Sequence, residues 1–476
     1  MFRSLGLALA MFASCIASTV HAEEAEPVED AFAPAHALEL AMKVEGAIAS
    51  AQADYDIIPR AAADEIAAKA SGEYAAPADV AKEYTIVRHQ MVALLNVWRR
   101  SLSPQARDAL HEGVTTVDVY DTVLVLQLLE ASDAMLSDMR AQEQDMICLA
   151  AQYKDTPMIG RTLGQHALPI TFGKKVAVWI AGNRRNMERL YEVRARLKTS
   201  GVLKGAVGTH VGLGPHGVEV EQRVSELLGL GPPEPADWRP ARDVFAEYAQ
   251  VLALIAKSNA AIGGEVFRLQ ETDTGEVYER RVGTAVGSST MPHKQNPRLS
   301  GTLVYSGRTI PALASVLLDD VESIFERDNT AGSHGTLKDI SIETAEMLKN
   351  SQALIRSLEP DPARMRENLN RTGGLILSQR VVLALGEVMS REEAEEKVRE
   401  ISIRVANEGG SFRDELLADP VVGPHLKGQI DELLNPETYL GLASVQVDRT
   451  IDWVAGKRAA RGEPALQACV AEKTVD

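Results

Sequence analysis

A mostly α-helical protein, with several helices long enough to form a bundle, is what this 476-residue sequence predicts. Three observations carry that expectation. Apolar residues recur at helical spacing, as in ARDVFAEYAQVLALIAKSNAAIGG, where Val244, Tyr248, Val251 and Ile255 fall at i, i+4, i+7 and i+11. Alternating β-branched runs are scarce. The chain is also rich in alanine and poor in aromatics, which make up 5% of it.

Taken in order, the first 22 residues form a separate object. MFRSLGLALAMFASCIASTVHAEEAEP carries one arginine, an apolar run from Leu5 to Val20, and Val20-His21-Ala22 before an acidic stretch. That is the layout of a secretory signal peptide cut after Ala22, which places the mature chain in the periplasm or outside the cell. An ordinary N-terminal helix is the plainer alternative. A lipoprotein box around Cys15 fits poorly because of Phe12. Cleavage leaves Cys148 and Cys469, whose pairing the sequence leaves open. Helical patterns then fill residues 36–53, 117–150, 171–199, 299–320 and 338–357. Breaks fall at GLGPPEPADWRP (229–240), in the glycine-bearing segment 283–298, and at SLEPDPARM (357–365), whose two prolines mark the best domain boundary. No later run reaches the roughly 18 apolar residues of a membrane span.

The formal charge of −17 argues against nucleic acid or an anionic membrane as the main partner. An acidic protein binds acids only through a local cluster of donors. No CxxC or HExxH motif points to a metal, and no GxGxxG or Walker-type loop points to a nucleotide.

Three segments concentrate chemistry. In GSSTMPHKQNP (287–297), Gly283 and Gly287 make the approach to Ser288 permissive, as a mobile loop would be. Asn296-Pro297 reads as N-cap and first helical position, so free backbone amides gather near Lys294 and suit an anion. HEGVTTVDVYDT sets Thr115 and Thr116 at the head of a long helix, where hydroxyls and amides can hold a carboxylate. MIGRTLGQHALPITFGKK (158–175) packs Arg161, Thr162, Gln165 and His166 together ahead of another helix. A capped surface loop and plain N-capping account for any one of these taken alone.

Together they are recognisable. GSSTMPHKQNP resembles the GSSxMPxKxNP signature of the fumarase/aspartase superfamily, VTTVDVYDT its TSxD segment, and GRTLGQHALP its GRTHGQxAxP segment. The resemblance runs from about Ala37 to about Arg449. Behind the signal peptide (1–22), it implies an all-α, fumarase/aspartase-like fold with an N-terminal helical domain (23–116), a central long-helix bundle (117–358) and a C-terminal helical domain (359–476). It implies a homotetramer whose sites draw on more than one subunit, and no metal or organic cofactor. It makes Ser288 the base that takes a proton next to a carboxylate. Lys294, Asn296 and the loop amides would stabilise the aci-carboxylate, with Thr115, Thr116, Thr162, Gln165 and Ser289 binding substrate.

Two branches compete. Adenylosuccinate lyases carry histidine where this chain has Leu163, and an N-terminal Arg-Tyr pair for which Glu23–Pro59 offers no match. VRHQM (87–91), ALHEG (109–113) and SQRVVLAL (378–385) nevertheless resemble that branch, which makes His89 and His111 candidate acids. QHALPITFG, DPARMRENLNRTGGLI and NPETYLGLASVQVDR resemble the 3-carboxy-cis,cis-muconate cycloisomerases, which also replace that histidine. The expected activity is an exported, cycloisomerase-like lyase acting on a small polycarboxylate. The alternatives are an adenylosuccinate-lyase-type C–N lyase and a non-catalytic binding or structural protein on the same fold.

Overall fold

The structure is a computed structural model that describes residues 27–236, 242–280, 287–322, 324–326 and 332–469. The expected signal peptide and Gly283 lie outside them. The helices that position the site are α1 (Pro34–Asp54), α2 (Gln90–Arg99), α3 (Thr116–Gln152), α4 (Phe172–Leu197), α5 (Gly217–Leu227), α6 (Arg242–Leu269), α7 (Arg298–Asp319), α8 (Ser333–Ser357), α9 (Pro362–Asn370) and α10 (Ala443–Arg461). The mostly α expectation holds, and α3, α4, α6, α7 and α8 begin and end within a few residues of the helical patterns in the sequence.

These five helices form the central bundle. Cross-helix contacts set their directions. Arg194 on α4 reaches Asp133 on α3 at 2.6 Å, and Asn183 donates to the Met139 carbonyl at 3.0 Å, so α3 and α4 run antiparallel. Arg242 at the start of α6 meets the Asp320 carbonyl just beyond α7, while Gln270 just beyond α6 meets the Gln295 carbonyl just before α7. α6 and α7 therefore run antiparallel too. Their backbones come close because Gly307 faces Ala260, where an added Cβ would lie 2.3 Å from the alanine methyl. Val251, Ile255 and Tyr248 point into the shared core as their spacing requires.

Two polar clusters sit inside this core and hydrogen-bond within it, with the Gln142 side-chain oxygen left without a partner among the described residues. Gln142 on α3 donates to Asn259 on α6 and to Ser351 on α8. Arg184 on α4 pairs with Glu143 on α3 and with Glu463, while Arg458 on α10 also reaches Glu143. Fully buried charges persist only when paired and hydrogen-bonded. α10 lies on the C-terminal side of the 358/359 boundary, yet it packs Val447 and Val454 into the central core. Cys148 on α3 and Cys469 form a disulfide, with Cα atoms 5.3 Å apart.

The bundle has two ends. At the head end, α1, α2 and their neighbours build a second core that includes Val119, Val123, Leu203 and Leu213. At the tail end, α3 leads into the hairpin β1 (Pro157–Thr162) and β2 (Gln165–Thr171). A second short pair, β3 (Val277–Glu279) and β4 (Leu358–Pro360), follows α6 and α8. A small cluster of Ile159, Leu369, Ile376 and Leu377 ties the hairpin to the C-terminal helices.

Candidate active site

The segment ahead of α4 runs directly into that helix, as its sequence suggests, and it does so as a β-hairpin, which the sequence reading did not specify. Leu163 (φ 52°) and Gly164 (φ 77°) both take the left-handed conformation of a two-residue type I′ turn, with Thr162 opposite Gln165. Gly160 allows the strands to approach, since a Cβ there would lie 2.8 Å from the Leu168 carbonyl oxygen. Thr162 and Gln165 thus flank an exposed tip. Leu163 is 101% exposed, so it walls nothing within its own chain. Arg161 is committed at the hairpin base, donating to both oxygens of fully buried Glu276 at 2.8 Å each. Asn368 on α9 donates to the same carboxylate. Burial pushes the His166 imidazole below its ordinary value, and the Arg161 and Arg371 cations lower it further while Glu276 opposes them. Its Nδ1 is sealed without a partner among the described residues.

The signature loop lies at the same end. It folds on itself. Asn296 donates its side-chain amide to the Gly287 carbonyl at 2.6 Å, and the Lys294 N–H donates to the Met291 carbonyl at 2.9 Å. Gly287 packs so tightly against Lys294 that a Cβ would lie 2.4 Å from the Lys294 carbonyl oxygen. Ser288 is half-buried, and its Oγ accepts the Met291 N–H at 3.2 Å; Ser289, Lys294 and Asn296 are exposed. One expectation fails here. Asn296 does not cap α7, whose N-cap is Pro297. The amides of Leu299 and Ser300 instead donate to the Glu279 carboxylate of β3 at 2.9 Å each. The helix start already holds an anion, which leaves Lys294 and the loop's own amides for a ligand.

At the head end, Thr115 is the N-cap of α3 and Thr116 its first residue. The Thr115 N–H donates to Asp118 at 2.9 Å, and the same carboxylate accepts from the amides of Lys204 and Gly205. Burial pushes the Asp118 carboxyl up to about 6, with Glu221 adding, although the three amides pull it down. His111 sits four residues before Thr115 in a left-handed conformation (φ 66°). Its Nδ1 lies 2.5 Å from Glu45 of α1, a carboxylate only 1% exposed. His89 has a different place. It caps α2, accepting the Val92 N–H on Nδ1, and is exposed. The far end of α2, about 15 Å along the axis, is the part that meets the His111 segment, through Arg99 and the Leu110 carbonyl.

The sequence reading overlooked two parts of this end. One is the loop Lys204–His216, with left-handed glycines at 205, 208 and 214 and left-handed His210. Gly212 meets Gly113 so closely that a Cβ on Gly113 would lie 2.3 Å from the Gly212 carbonyl oxygen. The five glycines and two histidines of GAVGTHVGLGPHG were a visible signal. The other is Glu45, a carboxylate on an otherwise apolar helix face. No group of three His, Cys, Asp or Glu side chains among the described residues is placed to hold a metal.

Within one chain these groups do not converge. The head and tail ends are separated by the length of α3, 37 residues or about 55 Å. The sequence model of the family described as "Lyase" matches residues 25–306, and that of "Adenylosuccinate lyase C-terminus" matches residues 374–450. The chain belongs to the fumarase/aspartase superfamily. It is 34% identical to N-acetyl-S-(2-succino)cysteine lyase of Dickeya dadantii, over 87% of this chain and 91% of that one. It is also 34% identical to adenylosuccinate lyase of Methanocaldococcus jannaschii, over 88% and 92%. The crystal structure of 3-carboxy-cis,cis-muconate lactonizing enzyme from Pseudomonas putida superposes with a TM-score of 0.79 at 32% identity, covering 89% of this chain and 96% of that one. As a superfamily lyase, the protein keeps the signature loop, the threonine pair and the hairpin, each on a different structural element.

Proposed function

We propose that this superfamily lyase is an exported enzyme that acts on a small polycarboxylate by proton abstraction next to a carboxylate. The observation that carries the reading is Ser288. Its Oγ accepts a backbone N–H inside an intact signature loop that also presents Lys294. A free serine is far too weak a base for this step. An amide donor on Oγ and a nearby cation favour the alkoxide, and donors aimed at the developing dianion lower the barrier. Ser288 takes the proton from the carbon beside one carboxylate, and the electron pair delocalises into that carboxylate as the aci form. It then returns to form the C=C bond as the bond to the leaving group on the neighbouring carbon breaks. Lactonisation is the same path run as an intramolecular addition, with a substrate carboxylate as nucleophile. Thr115 and Thr116 at a helix start, Thr162 and Gln165 at the hairpin tip, and Ser289, Lys294 and Asn296 on the loop bind the carboxylates.

Because the groups lie at opposite ends of α3, we infer a homotetramer in which the head of one copy meets the tails of others. Leu163 supports a reaction that needs no imidazole at the hairpin. Lactonisation qualifies. So does release of a thiolate, which leaves readily because its conjugate acid has a pKa of about 8.5. The relatedness to N-acetyl-S-(2-succino)cysteine lyase favours that second reading. Release of the adenylosuccinate amine fits less well, and no Arg-Tyr pair is evident for its phosphate. The Cys148–Cys469 disulfide supports export, since such bonds persist in oxidising compartments.

Purified protein assayed with 3-carboxymuconate, N-acetyl-S-(2-succino)cysteine, adenylosuccinate, argininosuccinate, malate and aspartate tests the substrate class. Turnover of one of the first two is expected. Robust fumarate release from adenylosuccinate would overturn the small-substrate reading. Intact mass of the native protein tests export: a chain starting at Glu23 is expected, and a retained Met1 would contradict it.

A further inference from the structure

The second feature of the head end is a buried carboxylate with a single use. Glu45 lies in α1 among Met42, Val44 and Ile48, all at most 1% exposed. Its Oε1 lies 2.5 Å from His111 Nδ1. Its Oε2 is sealed and makes no hydrogen bond among the described residues. Nor does the sealed hydroxyl of Tyr120, on α3, where burial and the Glu45 charge hold the phenol above its ordinary value. Gln52, one helical face further along α1, spends its amide on the Glu112 carbonyl, which anchors the segment that carries His111.

A carboxylate taken out of water needs a compensating charge or a proton. Here the imidazole N–H is its one partner among the described residues. With Nδ1–H donated to Glu45, His111 is fixed in one tautomer and one ring orientation. The opposite nitrogen, Nε2, makes no hydrogen bond among the described residues and is not among the sealed atoms. The backbone reinforces the arrangement. His111 is held at φ 66°, a conformation that a non-glycine residue adopts only where surrounding structure imposes it. His89 has none of these features.

We propose that Glu45 is a positioning residue of the active site: it takes the Nδ1–H of His111 and so holds the ring in one orientation, with Nε2 left for the substrate at the head of α3. The inference rests on the proposed function, because it places His111 in the site. It also separates the two candidate histidines and gives the role to His111.

A double-mutant cycle tests it. Glu45→Leu keeps the size and burial but removes the acceptor of the His111 Nδ1–H. With a turned-over substrate, kcat is expected to fall at least about tenfold while KM changes less than about threefold. In a His111→Gln background the same substitution is expected to cost less than about twofold, since Glu45 acts only through the imidazole. Equal losses in the two backgrounds, or no loss in either, would overturn the proposal. A second readout needs no substrate: the 15N shifts of the neutral His111 imidazole report which nitrogen carries the proton. Nδ1–H is expected in the parent and loss of that preference in Glu45→Leu; the same tautomer in both would overturn the proposal. A lost preference in a protein that turns over none of the six substrates would leave the pairing standing and count against the proposed function alone.

Discussion

Ser288 contributes little to the fold, because its hydroxyl touches one amide of its own loop. Ser288→Ala is therefore expected to leave the unfolding midpoint within about 1 °C and to cut kcat by at least about 100-fold. Comparable turnover by the alanine variant would remove Ser288 from the mechanism. Asp118 behaves in the opposite way, as a group whose protonation bears on stability. Its folded value of about 6 lies above the ordinary aspartate value, so between the two the folded chain keeps a proton that the unfolded chain has released. Stability should then fall as pH rises from about 4 to about 6, by at most about 3 kcal/mol from this residue. Urea titrations across that interval should show a shallower decline in Asp118→Asn than in the parent, and parallel profiles would contradict the assignment. At this scale the residue types were legible in the sequence. Their partners were not: Asn296 donates one N–H to the Gly287 carbonyl and Glu279 accepts from the start of α7, both set by loop closure.

At the scale of elements, the long bundle helices were readable because their apolar residues keep helical spacing over many turns. The hairpin was not. Its strands are short, and its turn is Leu-Gly rather than the Asn-Gly that announces a type I′ turn. Its stability leans on Arg161, which compensates the fully buried charge of Glu276 between the hairpin, β3 and α9. Arg161→Ala is expected to cost roughly 3–5 kcal/mol in urea unfolding, because it leaves a buried carboxylate without its cation. A loss below about 1 kcal/mol would show that Asn368 suffices. Glu45 escaped notice for a related reason. A single carboxylate in an apolar helix pattern looks like an exposed position until the helix is seen to be covered on that side by the His111 segment.

For the whole molecule, the superfamily was legible from three short motifs, and the fold followed. What the sequence could not supply was distance. The threonine pair starts a 37-residue helix, about 55 Å long, and the signature loop lies at the other end of the bundle, so the proposed site joins the head of one copy to the tail of another. That is the central claim, and mixing two inactive variants tests it most directly. Ser288→Ala damages only the tail end, and Thr116→Val together with His111→Gln damages only the head end. Each alone should be inactive on the substrate that the parent turns over. After joint unfolding and refolding, hybrid assemblies should regain measurable turnover, because some sites receive an intact head and an intact tail from different copies. Hybrids confirmed by mass that stay as inactive as either parent variant would contradict the shared site.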